Sequence, residues 1–83
     1  MTWQIQWTKP AAADLRRLDR TLIERIHQSV RRWAENGHGD VKRLKGSEEY
    51  RLRVGDWRVR FVLDPATKLM SIVRVLPRGR AYR

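Results

Sequence analysis

Four arginines alternate with apolar residues in the run Tyr50-Arg51-Leu52-Arg53-Val54-Gly55-Asp56-Trp57-Arg58-Val59-Arg60-Phe61. Period-two alternation on both sides of a Gly-Asp pair is the pattern of two half-buried strands joined by a tight turn. With Gly55 supplying the positive φ of a type II′ turn, Val54 sits opposite Trp57, Arg53 faces Arg58 and Arg51 faces Arg60. The other face then carries Leu52 against Val59 and Tyr50 against Phe61, which suits a core. Like charges directly opposed across strands cost stability, so four arginines in one patch require an anionic partner. A merely solvated sheet face mixes both signs, whereas here the sign is one-sided.

The whole chain repeats that bias. Its 83 residues carry a formal net charge of +10. Residues 1 to 41 hold seven Lys/Arg against five Asp/Glu, while residues 42 to 83 hold twelve against four. Such a balance favours nucleic acid, an acidic protein or an anionic surface as partner. At this length one domain over residues 1–83 with one modest core is expected. No run reaches transmembrane length and none has the pattern of a signal peptide, so a soluble cytoplasmic protein with no membrane partner is expected. The absence of cysteine excludes disulfides and thiolate metal sites. His27 falls in a helical pattern and His38 in a Gly-rich connection, neither with ligand spacing, so no metal or cofactor is expected.

Several elements must position the arginines. Trp3-Gln4-Ile5-Gln6-Trp7 alternates as an opening strand with Trp3, Ile5 and Trp7 on the buried side. Thr8 caps a short helix running to about Leu18, with Ala11, Leu15 and Leu18 on one face. A second helix opens on a Thr21/Glu24 capping box, buries Leu22, Ile23, Ile26, Val30, Trp33 and Ala34, and stops at Asn36-Gly37. Its polar side, with Arg25, Gln28, Arg31, Arg32 and Glu35, reads as a solvated face in preference to a recognition helix for a DNA groove. Residues 37 to 49 look like a connection pinned by Val41 and Leu44 and carrying Lys42, Arg43 and Lys45. After the hairpin, the turn Asp64–Lys68 leads to a strand over Leu69 to Leu76. Pairing Leu63 with Leu69 sets Val59 opposite Val73, Trp57 opposite Val75 and Arg74 beside Arg58, with Arg78 on the same basic side. The order β-α-α-β-β-β describes an α+β fold: two N-terminal helices on one face of a small antiparallel sheet, the other face open and basic.

With these residues in place the chain resembles the RelE/ParE superfamily of bacterial toxins, and within it the RelE-like ribonucleases. The likeness spans nearly the whole chain. Its specific parts are Arg43-Leu44-Lys45-Gly46 leading into the run from Tyr50 to Val59, and the tail Val75-Leu76-Pro77-Arg78-Gly79-Arg80-Ala81-Tyr82-Arg83. The resemblance implies the RelE-like microbial ribonuclease fold and a toxin that cuts mRNA in the A site of the 70S ribosome. It also implies inactivation by a cognate antitoxin, RelB-like or other, with an acidic or amphipathic segment. By the same resemblance Arg51, Arg53, Arg58, Arg78 and Tyr82 are the catalytic candidates, with Arg80 able to replace Arg78. Lys42, Arg43, Lys45, Arg60, Arg74 and Arg80 are candidates for holding RNA or the ribosome. Two departures stand out: arginine replaces the lysines of the first strand, and the usual His-Arg of the tail reads Pro77-Arg78.

Metal-independent RNA cleavage needs a base for the attacking 2′-hydroxyl, donors for the phosphorane charge and an acid for the leaving 5′-oxygen. Arginine suits the second role, since its planar fork binds two phosphate oxygens and stays charged. Arg53, Arg58 and Arg78 are thus expected phosphate clamps. As a base arginine is poor, which leaves Tyr82 as the titratable candidate. Two further readings stand beside this one. A ParE-like toxin inhibiting DNA gyrase shares the fold, though its usual His-and-Asp tail pattern is missing. A non-catalytic or inactive nucleic-acid-binding relative needs only the arginine face.

Overall fold

The computed structural model describes residues 2–80 of the chain. Its elements are β1 (Gln4–Trp7), α1 (Lys9–Arg16), α2 (Arg20–Asn36), β2 (Asp40–Arg43), β3 (Tyr50–Val54), β4 (Trp57–Asp64), β5 (Leu69–Pro77) and a closing 3₁₀ turn at Arg78–Arg80. The five strands form one sheet in the order β1-β5-β4-β3-β2. Three pairings are antiparallel, and β1 joins β5 in parallel, so the sheet is mixed.

Both helices start on side-chain caps. Thr8 Oγ1 accepts from the Ala11 amide at 3.3 Å and Pro10 occupies the first turn, where no amide partner is lost. For α2 the cap is Asp19 rather than the expected Thr21, its carboxylate accepting from Leu22 at 2.9 Å. An anion at the positive helix end is the better cap, and it starts the helix before the Thr21/Glu24 pair is reached. Gly37, at φ 76°, closes α2 with its amide on the Trp33 carbonyl, as Asn36-Gly37 predicted. Helix α1 ends at Arg16, short of Leu18.

The core lies between the helices and one sheet face. Ala11 and Leu15 of α1, with Ile26, Val30 and Ala34 of α2, bury against Leu52, Val54, Val59, Phe61, Met70, Ile72 and Val75. Trp3, Ile5 and Trp7 are half-buried at its margin, and the edge of Trp7 meets His27 with ring centroids 4.9 Å apart. The β3–β4 hairpin has the predicted register at every pair, from Val54 opposite Trp57 to Tyr50 opposite Phe61. Gly55 is at φ 58° while Asp56 is not in the left-handed region, as a type II′ turn requires.

The β4–β5 register departs from expectation. Asp64, not Leu63, pairs with Leu69, because the Asp64 side chain accepts from Ala66 and Lys68, at φ 59°, closes a four-residue turn. A β-bulge then sets Arg60 opposite Arg74 but Phe61 opposite Ile72, leaving Val73 as the extra residue. Met70 and Ile72 therefore enter the core in place of Leu69 and Val73, Val59 faces Val75, and Trp57 faces Pro77. Thr8 meets the bulge: its hydroxyl donates to the Ile72 and Val73 carbonyls and its amide to Ile72. Residues 40 to 43, expected as part of a connection, add strand β2, whose one apolar residue, Val41, faces Leu52.

Candidate nucleic-acid interface

Strand parity carries Arg51 and Arg53 of β3, Arg58 and Arg60 of β4 and Arg74 of β5 to the sheet face away from the helices, as the alternation predicted. Arg74 lies beside Arg60 rather than Arg58, because the turn and the bulge each shift the register by one residue. Lys42 joins the same face from β2, opposite Arg51.

This face is less one-sided in charge than the strands suggested, because three carboxylates reach it. Asp40 accepts from Arg51 Nη1 at 3.2 Å, through both its side chain and its carbonyl. Glu49, one residue before β3, holds Arg60 in a bidentate pair at 2.9 and 2.7 Å. Asp14 falls at helical spacing on the same α1 face as Ala11, Leu15 and Leu18, and it is buried and bonded to Arg74 at 2.8 and 3.1 Å. It also accepts from the Val75 amide at 2.8 Å. Burial would raise the Asp14 pKa, but the hydrogen bonds from Arg74 and Val75, with the charges of Arg74 and Arg17, hold its carboxyl below the usual range. The same hydrogen bond raises the Arg74 pKa.

What remains of the arginine set gathers at one end of the sheet, around the Gly55-Asp56 turn. Arg53 is exposed and stands opposite Arg58. Arg58 is only 4% exposed, and its Nη1 donates to the Gly55 and Trp57 carbonyls, each at 3.0 Å. Arg78 is exposed and its amide donates to the Asp56 carbonyl at 2.9 Å. Among the described residues none of these three is paired with a carboxylate. Arg58 was expected as an open clamp; instead it is a braced one, fixed by the turn beside it. Buried guanidinium charge without a counter-ion is costly, and such cost is characteristic of sites built for an anion.

Arg43 and Lys45 lie at the opposite end of β3, where Arg43 Nε donates to the Ser47 carbonyl at 3.1 Å. They are exposed but apart from the turn cluster. Tyr82 and the side chain of Arg80 lie outside the described residues. Among the described residues no group of three or more His, Cys, Asp or Glu side chains could hold a metal ion. No helix there is long and apolar enough to cross a membrane. Sequence reasoning missed Glu49 and Asp14; extending the β3 alternation back by one residue would have placed Glu49 on the arginine face.

A β1-α1-α2 start, a bulged meander and an arginine-bearing open face together define a small α+β fold with a basic sheet surface. The model of the ParE toxin family of type II toxin-antitoxin systems, parDE, matches residues 5–82, and the chain belongs to that family. Among curated relatives, a Methanocaldococcus jannaschii protein described as putative toxin RelE1 is 42% identical over 45 residues, 53% of this chain. That match covers about half the length of the relative, 50%. The RelE of an archaeal RelE–RelB complex from Pyrococcus horikoshii superposes with a TM-score of 0.80 at 27% identity, covering 98% of this chain and 100% of that one. A Methanococcus jannaschii RelB–RelE antitoxin-toxin complex gives 0.74 at 25% identity over 92% and 93%. This protein is thus a toxin of the RelE/ParE type.

Proposed function

We propose that the toxin is a ribosome-dependent, metal-independent endoribonuclease, a single domain over residues 1–83 that cuts mRNA in the ribosomal A site and stops translation in the cytoplasm. One observation carries this reading: Arg53, Arg58 and Arg78 converge on one turn without a carboxylate paired to them among the described residues, while Arg51, Arg60 and Arg74 are neutralised. Three arginines from separate elements at one hairpin end suit a pentacoordinate phosphorane, whose charge exceeds that of the substrate phosphate. Arg58 is held in place before substrate arrives, so little reorganisation is required during reaction. Proton transfer falls to Tyr82 or to ribosomal groups, since arginine stays protonated. The cognate partner is a RelB-like antitoxin whose acidic or amphipathic segment covers this face; the RelE–RelB complexes of similar fold support that assignment.

The test is a brief induction of the toxin in a bacterial host with mapping of mRNA 5′ ends. Arg53→Ala, at an exposed position, and Arg58→Ala are run alongside. Codon-phased cuts within translated frames that disappear in both variants are expected. A second reading, inhibition of DNA gyrase, is favoured by the match to the ParE model. Intact mRNA with altered DNA supercoiling would establish it and overturn the nuclease.

A further inference from the structure

The hairpin tip has a second side. Gly55 bonds Arg58 through its carbonyl on the open face, yet it also carries the guanidinium of Arg25 from α2. A Cβ built on Gly55 would meet Arg25 Nη1 at 3.2 Å and Nη2 at 3.3 Å. Arg25 is exposed and has no acidic residue at helical spacing, its neighbours three and four positions away being Thr21, Leu22, Gln28 and Ser29. None of the described ion pairs includes it, and Asp56, exposed at the same tip, pairs with neither arginine. Two like charges therefore bracket one glycine with no anion between them.

On the same helix-facing side lies Trp57, half-buried at the strand end. With Leu18 and Pro77 it walls a cleft of about 240 Å³ whose lining also takes in Arg17 and the Asp14–Arg74 pair, so that two guanidiniums there outnumber the one carboxylate. That volume is below the roughly 300–1,000 Å³ of sites for drug-sized ligands and suits a single planar ring. A cation beside an aromatic wall is the pairing that holds single-stranded nucleic acid, phosphate on one and base against the other.

We infer that the helix side of the hairpin tip is a nucleotide subsite, in which Arg25 takes a phosphate and Trp57 stacks the base of a nucleotide flanking the one bound at Arg53, Arg58 and Arg78. The RNA strand then crosses the tip from the open sheet face to the helices. This inference rests on the nuclease reading only for the identity of the ligand as RNA, and it is tested by binding rather than cutting.

The experiment is equilibrium titration of the purified toxin with a short single-stranded oligoribonucleotide over a range of salt concentrations. Removing one phosphate contact lowers the slope of log K against log salt by about 0.7. That loss is expected for Arg25→Ala, with recovery in Arg25→Lys and an unchanged melting temperature. Trp57→Ala is expected to weaken binding roughly 5- to 150-fold and Trp57→Phe far less, and an abasic flanking position should remove the difference between them. An unchanged slope in Arg25→Ala together with a lowered melting temperature would make Arg25 a structural strap and overturn the inference, even if Arg53→Ala still abolishes cutting. Loss of mRNA cutting as a property, with Arg25-dependent oligonucleotide binding retained, would overturn the nuclease reading and leave the subsite standing.

Discussion

Replacing Asp14 by alanine should be the costliest single polar substitution outside the arginine cluster. Its carboxylate is buried and accepts from the Val75 amide, which the β5 bulge turns toward α1 at a point where β1 no longer pairs. Alanine leaves that amide without an acceptor, at a cost of about 1–3 kcal/mol. The ion pair adds less: the Arg74 side chain is 41% exposed, and solvent screening limits such a pair to about 0–1 kcal/mol. A total near 2–3 kcal/mol corresponds to a fall in Tm of roughly 10–20 °C for a domain of this size. Calorimetry or thermal circular dichroism reads this directly. Arg74→Ala and Asp14→Asn, which keep an acceptor for Val75, should each cost about 1 kcal/mol or less. Since the Asp14 pKa is depressed in the folded state, its contribution is full above the unfolded value of about 4 and is lost as pH falls through the folded one. The Tm gap between wild type and Asp14→Asn should therefore close in acid. If Arg74→Ala costs as much as Asp14→Ala, or if the gap persists at low pH, the assignment of this anchor to the buried amide is refuted.

Further outcomes follow from the same geometry. Glu49→Ala releases Arg60 from its bidentate pair, so the salt slope of oligonucleotide binding should steepen by about 0.7 while stability falls by about 1 kcal/mol or less. Thr8→Ala removes the α1 cap and a donor to the bulged carbonyls, which should cost about 1–2 kcal/mol in denaturant unfolding. Gly55→Ala places a Cβ at φ 58° against Arg25, and a loss of about 1–2 kcal/mol is expected from the backbone strain alone. A complex with an acidic antitoxin segment should weaken as salt rises; insensitivity would indicate apolar docking.

The hairpin was legible to the residue because both its determinants are local: a glycine that fixes a two-residue turn, and strict alternation that fixes the faces. The β5 pairing was not, since its bulge is stabilised by Thr8, distant in sequence. From that miss followed another. Asp14 reads as an ordinary helical carboxylate until the bulge presents Val75 to it. Strand β2 offers only Val41 as an apolar signal and forms because β3 supplies a free edge. The site was legible in residue type but not in pairing: six arginines were visible, whereas which three stay unneutralised depends on Asp40, Glu49 and Asp14 arriving from separate elements.

The parallel seam between β1 and β5 also constrains the order in which the fold can assemble. Thr8 closes onto carbonyls 64 and 65 residues downstream, and β1 has no other strand to pair with. Contacts of such separation form late, because a long loop must close first. A nascent chain can build both helices and the β3–β4 hairpin, yet α1 has no seat until β5 emerges from the ribosome that is making it. Arg78, tied to the Asp56 carbonyl, comes later still. The hairpin turn that carries Arg53 and Arg58 thus receives Arg78 only after β5 has paired along β4.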